Sequence, residues 1–187
     1  ALALSQVLLG RFQDRELGGF FFTSDDHERL IHRPKPLGDD SLPAGNGVAA
    51  RVLQRLGHLT GDARLLEAAD RTLQLAAESI RRIPYAHTSL LLALEEQLHP
   101  TETIVIRGAG EGLARWLART QANYAPRRLA VAIPADETEL PGALGGMAPR
   151  DEPLAYRCSG SQCGPPFTDF AAFEAALGAA ETTPTRL

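Results

Sequence analysis

The stretch Gly45–Ile80, GNGVAARVLQRLGHLTGDARLLEAADRTLQLAAESI, predicts two amphipathic helices with a sharp break between them. Apolar residues recur there every three or four positions, which is typical of one buried helix face. Gly61 supplies a helix stop and Asp62 a helix start. Because the break is so short, we expect the two helices to lie antiparallel, as an αα-hairpin.

Further helices flank this hairpin on both sides. The apolar spacing of residues 2–12 predicts an opening helix, and that of residues 87–98 predicts another, which Pro100 ends. Gly18 and Gly19 break the opening helix, and residues 20–23 favour extended structure. We therefore expect a short irregular hairpin or a hooked loop between the first two helices.

The pattern changes after Pro100. TIVI at residues 103–106 and LAVAI at residues 129–133 predict two strands, and residues 111–121 predict a helix between them. Such a β-α-β order predicts two parallel strands with a right-handed crossover. A third strand is predicted at 155–158, a last short helix at 170–177, and a loose tail over TTPTRL. The chain is thus predicted to divide into helical hairpins at 1–100 and a small α/β extension at 101–187.

Composition excludes several classes of protein. The 187 residues carry 19 Lys and Arg against 23 Asp and Glu, a net charge of −4, and Lys35 is the only lysine. A nucleic-acid partner is therefore not expected, because such proteins concentrate basic residues. No apolar run approaches the roughly 20 residues of a membrane span, so no membrane partner is expected either. The chain opens at Ala1 and its only methionine is Met147, so we expect a fragment of a longer cytoplasmic protein.

Two loops beside the second helix hold the candidate site. Acids close together can act as acid, base or nucleophile, and nearby polar and aromatic groups can bind a polyhydroxylated substrate. The candidate catalytic residues are Asp25, Asp26, Asp39 and Asp40, and the candidate substrate-binding residues are Phe21, Thr23, Arg33, Lys35 and Asn46. The alternative is structural: the acids cap turns or face water, the phenylalanines pack the core, and Asn46 caps the second helix.

Other motifs predict no cofactor and no metal. Residues 107–112, RGAGEG, lack the spacing of a dinucleotide fingerprint and the ending of a phosphate loop, so a tight strand-to-helix turn explains them. The five histidines show no metal-ligand spacing. Cys158 and Cys163 alone cannot complete a zinc site. A disulfide between them is geometrically possible, but we expect free or weakly paired thiols in a reducing cytosol, with a regulatory thiol pair as the alternative.

Three segments, in this order, resemble the spermatogenesis-associated protein 20 family. They are GGFFFTSDDHERLIHRPK at 18–35, SLPAGNGVAARVLQRLGHLTGD at 41–62 and AYRCSGSQCGPPFTD at 155–169. The resemblance departs from the family pattern before Asn46: LGDDSLPAGN lacks the tyrosine expected there, and Ala44 replaces a serine. Asp39 or Asp40 takes the place of the family's aspartate.

This resemblance implies a fold and a set of partners. Family members resemble a thioredoxin-like domain followed by a six-hairpin helical barrel, similar to sugar epimerases of the N-acylglucosamine 2-epimerase kind. It implies a mainly α chain, a partial α/α-toroid of helical hairpins followed by the small α/β subdomain, without the N-terminal domains of the same protein. Because a severed toroid exposes apolar flanks, we also expect self-association.

Two functions follow as hypotheses. The first is a fragment of a carbohydrate-processing or carbohydrate-binding protein, with a sugar-like small molecule as its partner and no cofactor. The second is a non-catalytic scaffold or interaction module that accompanies a thioredoxin-like redox domain. In the first, the loop acids contact a ligand; in the second, they only cap helices and face water.

Overall fold

The chain folds into two compact units, residues 1–100 and residues 101–187. A computed structural model describes residues 1–28 and 31–181, with side chains up to residue 178. The tail predicted to be loose, residues 182–187, lies outside the described residues. Each unit has its own hydrophobic core.

The N-terminal unit contains four α-helices. These are α1 (Leu2–Arg11), α2 (Gly45–Thr60), α3 (Ala63–Arg82) and α4 (Thr88–Leu98), with a 3-10 turn at Pro84–Ala86 before α4. Gly61 ends α2 in a left-handed conformation with φ of 72°, and the Asp62 side chain accepts a hydrogen bond from the Arg64 N–H, as predicted. Because short connections join α2 to α3 and α3 to α4, α2 and α4 run parallel and start at the same end of the unit.

The core of this unit lies between α2, α3 and α4. Helices α2, α3 and α4 all contact one another, and Leu53, Ala69 and Leu90 between them are fully buried. Leu2, Leu8 and Leu9 of α1 pack against the edge of the same cluster. The helices therefore surround one small core, and they do not continue side by side along an arc.

The fold class predicted from the sequence is wrong for the chain as a whole. The described residues form six α-helices together with a four-stranded sheet, so the chain is a mixed α and β protein and not a mainly α partial toroid. The α/β subdomain of that prediction is present. The physical reason is that α2, α3 and α4 bury one small core between them, and the sheet contributes a second core.

The C-terminal unit is built on a mixed sheet in the order β2-β1-β3-β4. Strands β1 and β2 pair in parallel, and β3 pairs antiparallel with both β1 and β4. Helix α5 connects β1 to β2, and α6 follows the sheet. The bounds are β1 (Glu102–Gly108), α5 (Gly110–Gln121), β2 (Arg128–Pro134), β3 (Leu154–Ser159), β4 (Gln162–Cys163) and α6 (Phe170–Glu181).

The two faces of this sheet are covered differently. On one face, Ile104 and Ile106 pack with Trp116 of α5 and Phe173 of α6, whose rings stack 4.9 Å apart. On the other face, the fully buried Arg107 donates hydrogen bonds to the carbonyls of Pro134 and Glu137, at 3.0 and 2.9 Å. Arg107 thereby fastens the connection that leaves β2.

The turn at residues 107–112 packs closely against Pro153. A Cβ atom on Gly112 would stand 2.6 Å from the Cγ of Pro153, and one on Gly108 would stand 3.0 Å from the Cα of Pro153. The strand-to-helix connection therefore needs small residues to let Pro153 approach. This contact explains Gly108 and Gly112 without a ligand, and a positive φ of 57° explains Gly110.

Cys158 and Cys163 form a disulfide, so the prediction of free or weakly paired thiols is wrong. The pairing of Ser159 with Gln162 closes a two-residue hairpin turn, and the next pair outward places the two cysteines directly opposite each other. The register of β3 and β4 thus brings together two thiols whose pairing could not be decided from sequence spacing alone.

None of the described helices has the length and apolar character that crossing a membrane requires.

Candidate functional site

A groove of about 430 Å³ opens between the starts of α2 and α4. Its walls combine partly exposed apolar side chains with hydroxyl, carboxylate and guanidinium groups. This mixture is typical of small-molecule sites. The lining residues used below are Asp39, Asp40, Val48, Arg51, Val52, Arg55, Thr88, Ser89 and Leu92.

Asp39 joins the two helix starts. One carboxylate oxygen, Oδ1, accepts hydrogen bonds from the Ala44 N–H at 2.8 Å and from the Ser89 hydroxyl. The other, Oδ2, accepts from the Thr88 hydroxyl at 2.6 Å and from the Ser89 N–H at 2.8 Å. Ala44 immediately precedes α2, and Thr88 and Ser89 open α4. Asp39 was predicted as a catalytic residue, and the structure makes it a shared cap of the two helix starts.

These four hydrogen bonds decide the chemistry of Asp39. Burial alone would raise the pKa of its carboxyl, but the Ala44 N–H and the Ser89 and Thr88 groups hold that pKa well below its ordinary value of 3.8. A carboxylate has about four lone-pair sites, and all of them are taken here. Asp39 therefore stays ionised at neutral pH, and it has no lone pair left to bind a substrate hydroxyl as the predicted catalytic group.

The same pKa shift predicts a pH dependence of stability. A carboxyl whose pKa is lower in the folded than in the unfolded chain stabilises the fold when it is ionised. Its whole contribution to the free energy of unfolding is present above the unfolded pKa, near 3.8, and is lost as the pH falls toward the folded pKa. We expect the free energy of unfolding of the wild-type chain to exceed that of Asp39→Asn at neutral pH, and the gap to narrow below pH 3.8. Urea unfolding across a pH series measures this gap, and a gap that stays constant down to the lowest pH would contradict it. The pKa of Asp14 is lowered as well, because the Leu17 N–H and Lys35 donate hydrogen bonds to its carboxylate. Because Asp14 is present in both proteins, its contribution to the pH dependence cancels in the difference between the wild-type chain and Asp39→Asn.

Two arginines that line the groove are held from behind by one buried glutamate. Glu96 of α4 is only 4% exposed, and its carboxylate accepts from Arg51 Nε at 2.5 Å and from Arg55 Nε and Nη2 at 2.8 and 2.5 Å. None of these three residues was predicted as a site residue from the sequence. The spacing of Arg51 and Arg55, one helical turn apart and alternating with Val48 and Val52, was the signal that they share one side of α2.

Asn46 is not a helix cap. It is the second residue of α2, and Ala44 is the N-cap. Its side chain is 2% exposed, accepts from the Phe20 N–H at 2.7 Å, and donates to the carbonyls of Phe20 and Pro36 at 3.0 and 2.8 Å. All polar atoms of the amide are occupied by the backbone of the preceding loop, so Asn46 holds that loop against α2.

Lys35, Arg33 and Phe21 are also engaged within the chain. The buried hydroxyl of Thr23, by contrast, has no hydrogen-bond partner among the described residues. Lys35 donates to Asp14 Oδ2 at 2.7 Å and to the Gly18 carbonyl at 2.9 Å. The guanidinium of Arg33 lies 4.2 Å from the ring centroid of Phe21 and donates to the Thr23 carbonyl at 2.7 Å. Phe21 is therefore already stacked on a cation from its own chain.

Asp25 and Asp26 are exposed and face Arg11. Arg11 donates to Asp26 and lies 3.7 Å from Asp25 Oδ1. Neither acid lines the groove.

Of the nine predicted site residues, the structure thus brings only Asp39 and Asp40 into the groove. Within the described ranges, no three His, Cys, Asp or Glu side chains gather as metal ligands would.

Comparison with known proteins places the chain near one curated protein. No family model matches it. The chain is similar to spermatogenesis-associated protein 20. The protein from Homo sapiens is 27% identical over 177 residues, which cover 90% of this chain and 22% of the relative, and the protein from Rattus norvegicus gives the same values. This match supports the resemblance drawn from the three sequence segments.

The chain spans about 22% of the length of the spermatogenesis-associated protein 20 sequences that it matches. The similarity covers both compact units, because it extends over 90% of the chain. It therefore relates the helical and the α/β unit together to that protein.

Proposed function

We propose that the groove between α2 and α4 binds a small, uncharged, polyhydroxylated molecule of the sugar type, and that it does so without catalysing a reaction. The observation that carries this proposal is the saturated carboxylate of Asp39. It fixes both helix starts beside an open groove, and its four hydrogen bonds leave Asp39 itself unavailable to a ligand. A rigid, largely preformed groove is the usual basis of small-molecule binding.

The walls offer suitable partners for such a ligand. Asp40 is exposed at the rim and can accept hydrogen bonds from hydroxyl groups, while the guanidinium groups of Arg51 and Arg55 are partly exposed and can donate. Val48, Val52 and Leu92 are each close to half exposed and present apolar surface to the C–H face of a sugar ring.

A second function is supported by the use that the chain makes of its predicted site residues. Asn46, Lys35, Arg33 and Asp39 all hold backbone or side chains of the same unit in place. This favours a non-catalytic module, which would accompany a thioredoxin-like domain in a longer protein. In that case, the groove carries no ligand and the unit acts through its surface.

The two proposals differ in an NMR titration of the full chain with a panel of monosaccharides and disaccharides. Sugar binding predicts saturable shifts of the backbone amides of Val48, Val52 and Thr88 for at least one member of the panel. The variant Asp40→Ala should weaken that binding by about tenfold, the effect of one lost hydrogen bond to a charged group.

The matched control is Asp25→Ala, which removes an exposed loop carboxylate outside the groove and should leave the affinity unchanged. Shifts confined to residues outside the groove, or no saturable shift with any sugar, would reject the binding proposal and favour the module.

A further inference from the structure

We propose that the Cys158–Cys163 disulfide is a reversible site of thiol–disulfide exchange, and that Cys163 Sγ is the atom attacked by an external thiolate. The disulfide lies in the hairpin of β3 and β4, within the C-terminal unit. The partner is defined by its chemistry as a dithiol. This inference is independent of the groove and of its ligand.

The two cysteines face each other where the ladder makes no hydrogen bond. The Gly164 N–H donates to the Arg157 carbonyl at 3.0 Å, so Arg157 and Gly164 form a hydrogen-bonded pair. The neighbouring pair, Cys158 and Cys163, therefore occupies the alternate, non-hydrogen-bonded position, with Cα atoms 4.0 Å apart. Side chains approach most closely at such positions, so the thiols remain opposed whether or not they are bonded.

The two cysteines differ in exposure. Cys158 lies in β3, between β1 and β4, and is 5% exposed. Cys163 lies in β4, the last strand of the sheet order, and is exposed. An incoming thiolate has to approach the sulfur that it attacks, and solvent access selects Cys163.

The hairpin has supports besides the disulfide. Gly160 opens the turn with φ of 55°, which glycine adopts without strain. Beyond the hairpin, Ala155 and Phe167 exchange two backbone hydrogen bonds, at 3.0 and 2.9 Å, and Phe167 packs against Phe173 of the core. The segment that contains Cys163 is therefore held at both ends. We expect reduction to leave the fold in place and reoxidation to be rapid.

The exchange is a two-electron reaction between this disulfide and a dithiol. A thiolate of the dithiol attacks Cys163 Sγ, a mixed disulfide forms there, and the S–S bond breaks to release Cys158 as a thiolate, which takes a proton from water. The second thiol of the partner then loses its proton to water, and the resulting thiolate attacks the partner's first sulfur, the one bonded to Cys163 Sγ. This forms the partner's disulfide and releases Cys163 as a thiolate, which takes a proton from water. The partner leaves as a disulfide, and this chain holds two thiols.

Dithiothreitol serves as the dithiol in the test. Incubation of the oxidised full chain without denaturant should reduce the bond completely, as counted by mass spectrometry after alkylation. The fluorescence of Trp116, the only tryptophan, and the far-ultraviolet circular dichroism should stay unchanged. Reduction that occurs only together with loss of both signals would overturn the proposal, because the disulfide would then be structural.

Two single-cysteine variants test which sulfur is attacked. Cys158→Ser leaves Cys163, and its thiol should form a mixed disulfide with an aromatic disulfide reagent at least about tenfold faster than the Cys158 thiol left by Cys163→Ser. Circular dichroism of both variants shows whether they are folded. Equal rates in two folded variants, or a faster reaction at Cys158, would contradict the assignment. If either variant unfolds, partial reduction of the wild-type chain with glutathione gives the same answer through the site of the mixed disulfide.

Discussion

We expect Asp39→Ala to lower the free energy of unfolding of the helical unit by about 3 kcal/mol. The alanine leaves the Ala44 and Ser89 N–H groups without their acceptor, and it also removes the partner of the Thr88 and Ser89 hydroxyls. A single lost helix cap costs about 1 kcal/mol, and here one residue caps two helices. Urea unfolding followed by circular dichroism measures the change, and hydrogen exchange of the α2 amides locates it.

The control for this variant is Asp40→Ala. Asp40 is adjacent in sequence and exposed. Its replacement should change the free energy of unfolding by less than about 0.5 kcal/mol, as is usual for surface substitutions. Equal effects of the two substitutions would mean that Asp39 does not join the helix starts.

Asn46→Ala should destabilise the same unit by about 3 kcal/mol, because it breaks a buried connection between α2 and the loop before it. The Phe20 N–H and carbonyl and the Pro36 carbonyl lose their partner together. Asn46→Asp should be no better, since a carboxylate accepts from Phe20 but cannot donate to either carbonyl. Urea unfolding of the full chain compares the three proteins.

Gly45→Ala is the matched control in the same helix turn. A Cβ atom at Gly45 would meet nothing within 4 Å, so this substitution should be close to neutral. A binding role for Asn46 predicts the opposite pattern, in which Asn46→Ala keeps the stability of the wild-type chain and loses only ligand affinity. The stability measurement therefore decides between the predicted binding role and the observed loop contact.

Local signals in the sequence predicted much of the secondary structure. The predicted break at Gly61 and Asp62 is present in the structure, and the strands at TIVI and LAVAI extend only one or two residues beyond the predicted bounds. Caps, breakers and periodicity act within a few residues, so they can be recognised without knowledge of the rest of the chain.

The candidate site could not be predicted in the same way, because it is formed by contacts between residues distant in sequence. Glu96 meets Arg51 across 45 positions, and Asp39 meets Ser89 across 50. Sequence patterns do not encode such pairings, and polar loop residues look the same whether they bind a ligand or the backbone. The resemblance to a larger protein suggested a toroid, whereas the packing of α2 against α4 decides the local fold.

The parallel start of α2 and α4 has an electrostatic consequence for ligand selection. Each helix macrodipole places roughly half a positive charge at its N-terminus, so two adjacent starts carry about one charge, which the carboxylate of Asp39 cancels. Glu96 binds both guanidinium groups, and Asp40 adds a further negative charge at the groove. The formal charges around the groove thus sum to about zero, and we expect an anion to bind there no better than a neutral molecule of the same shape.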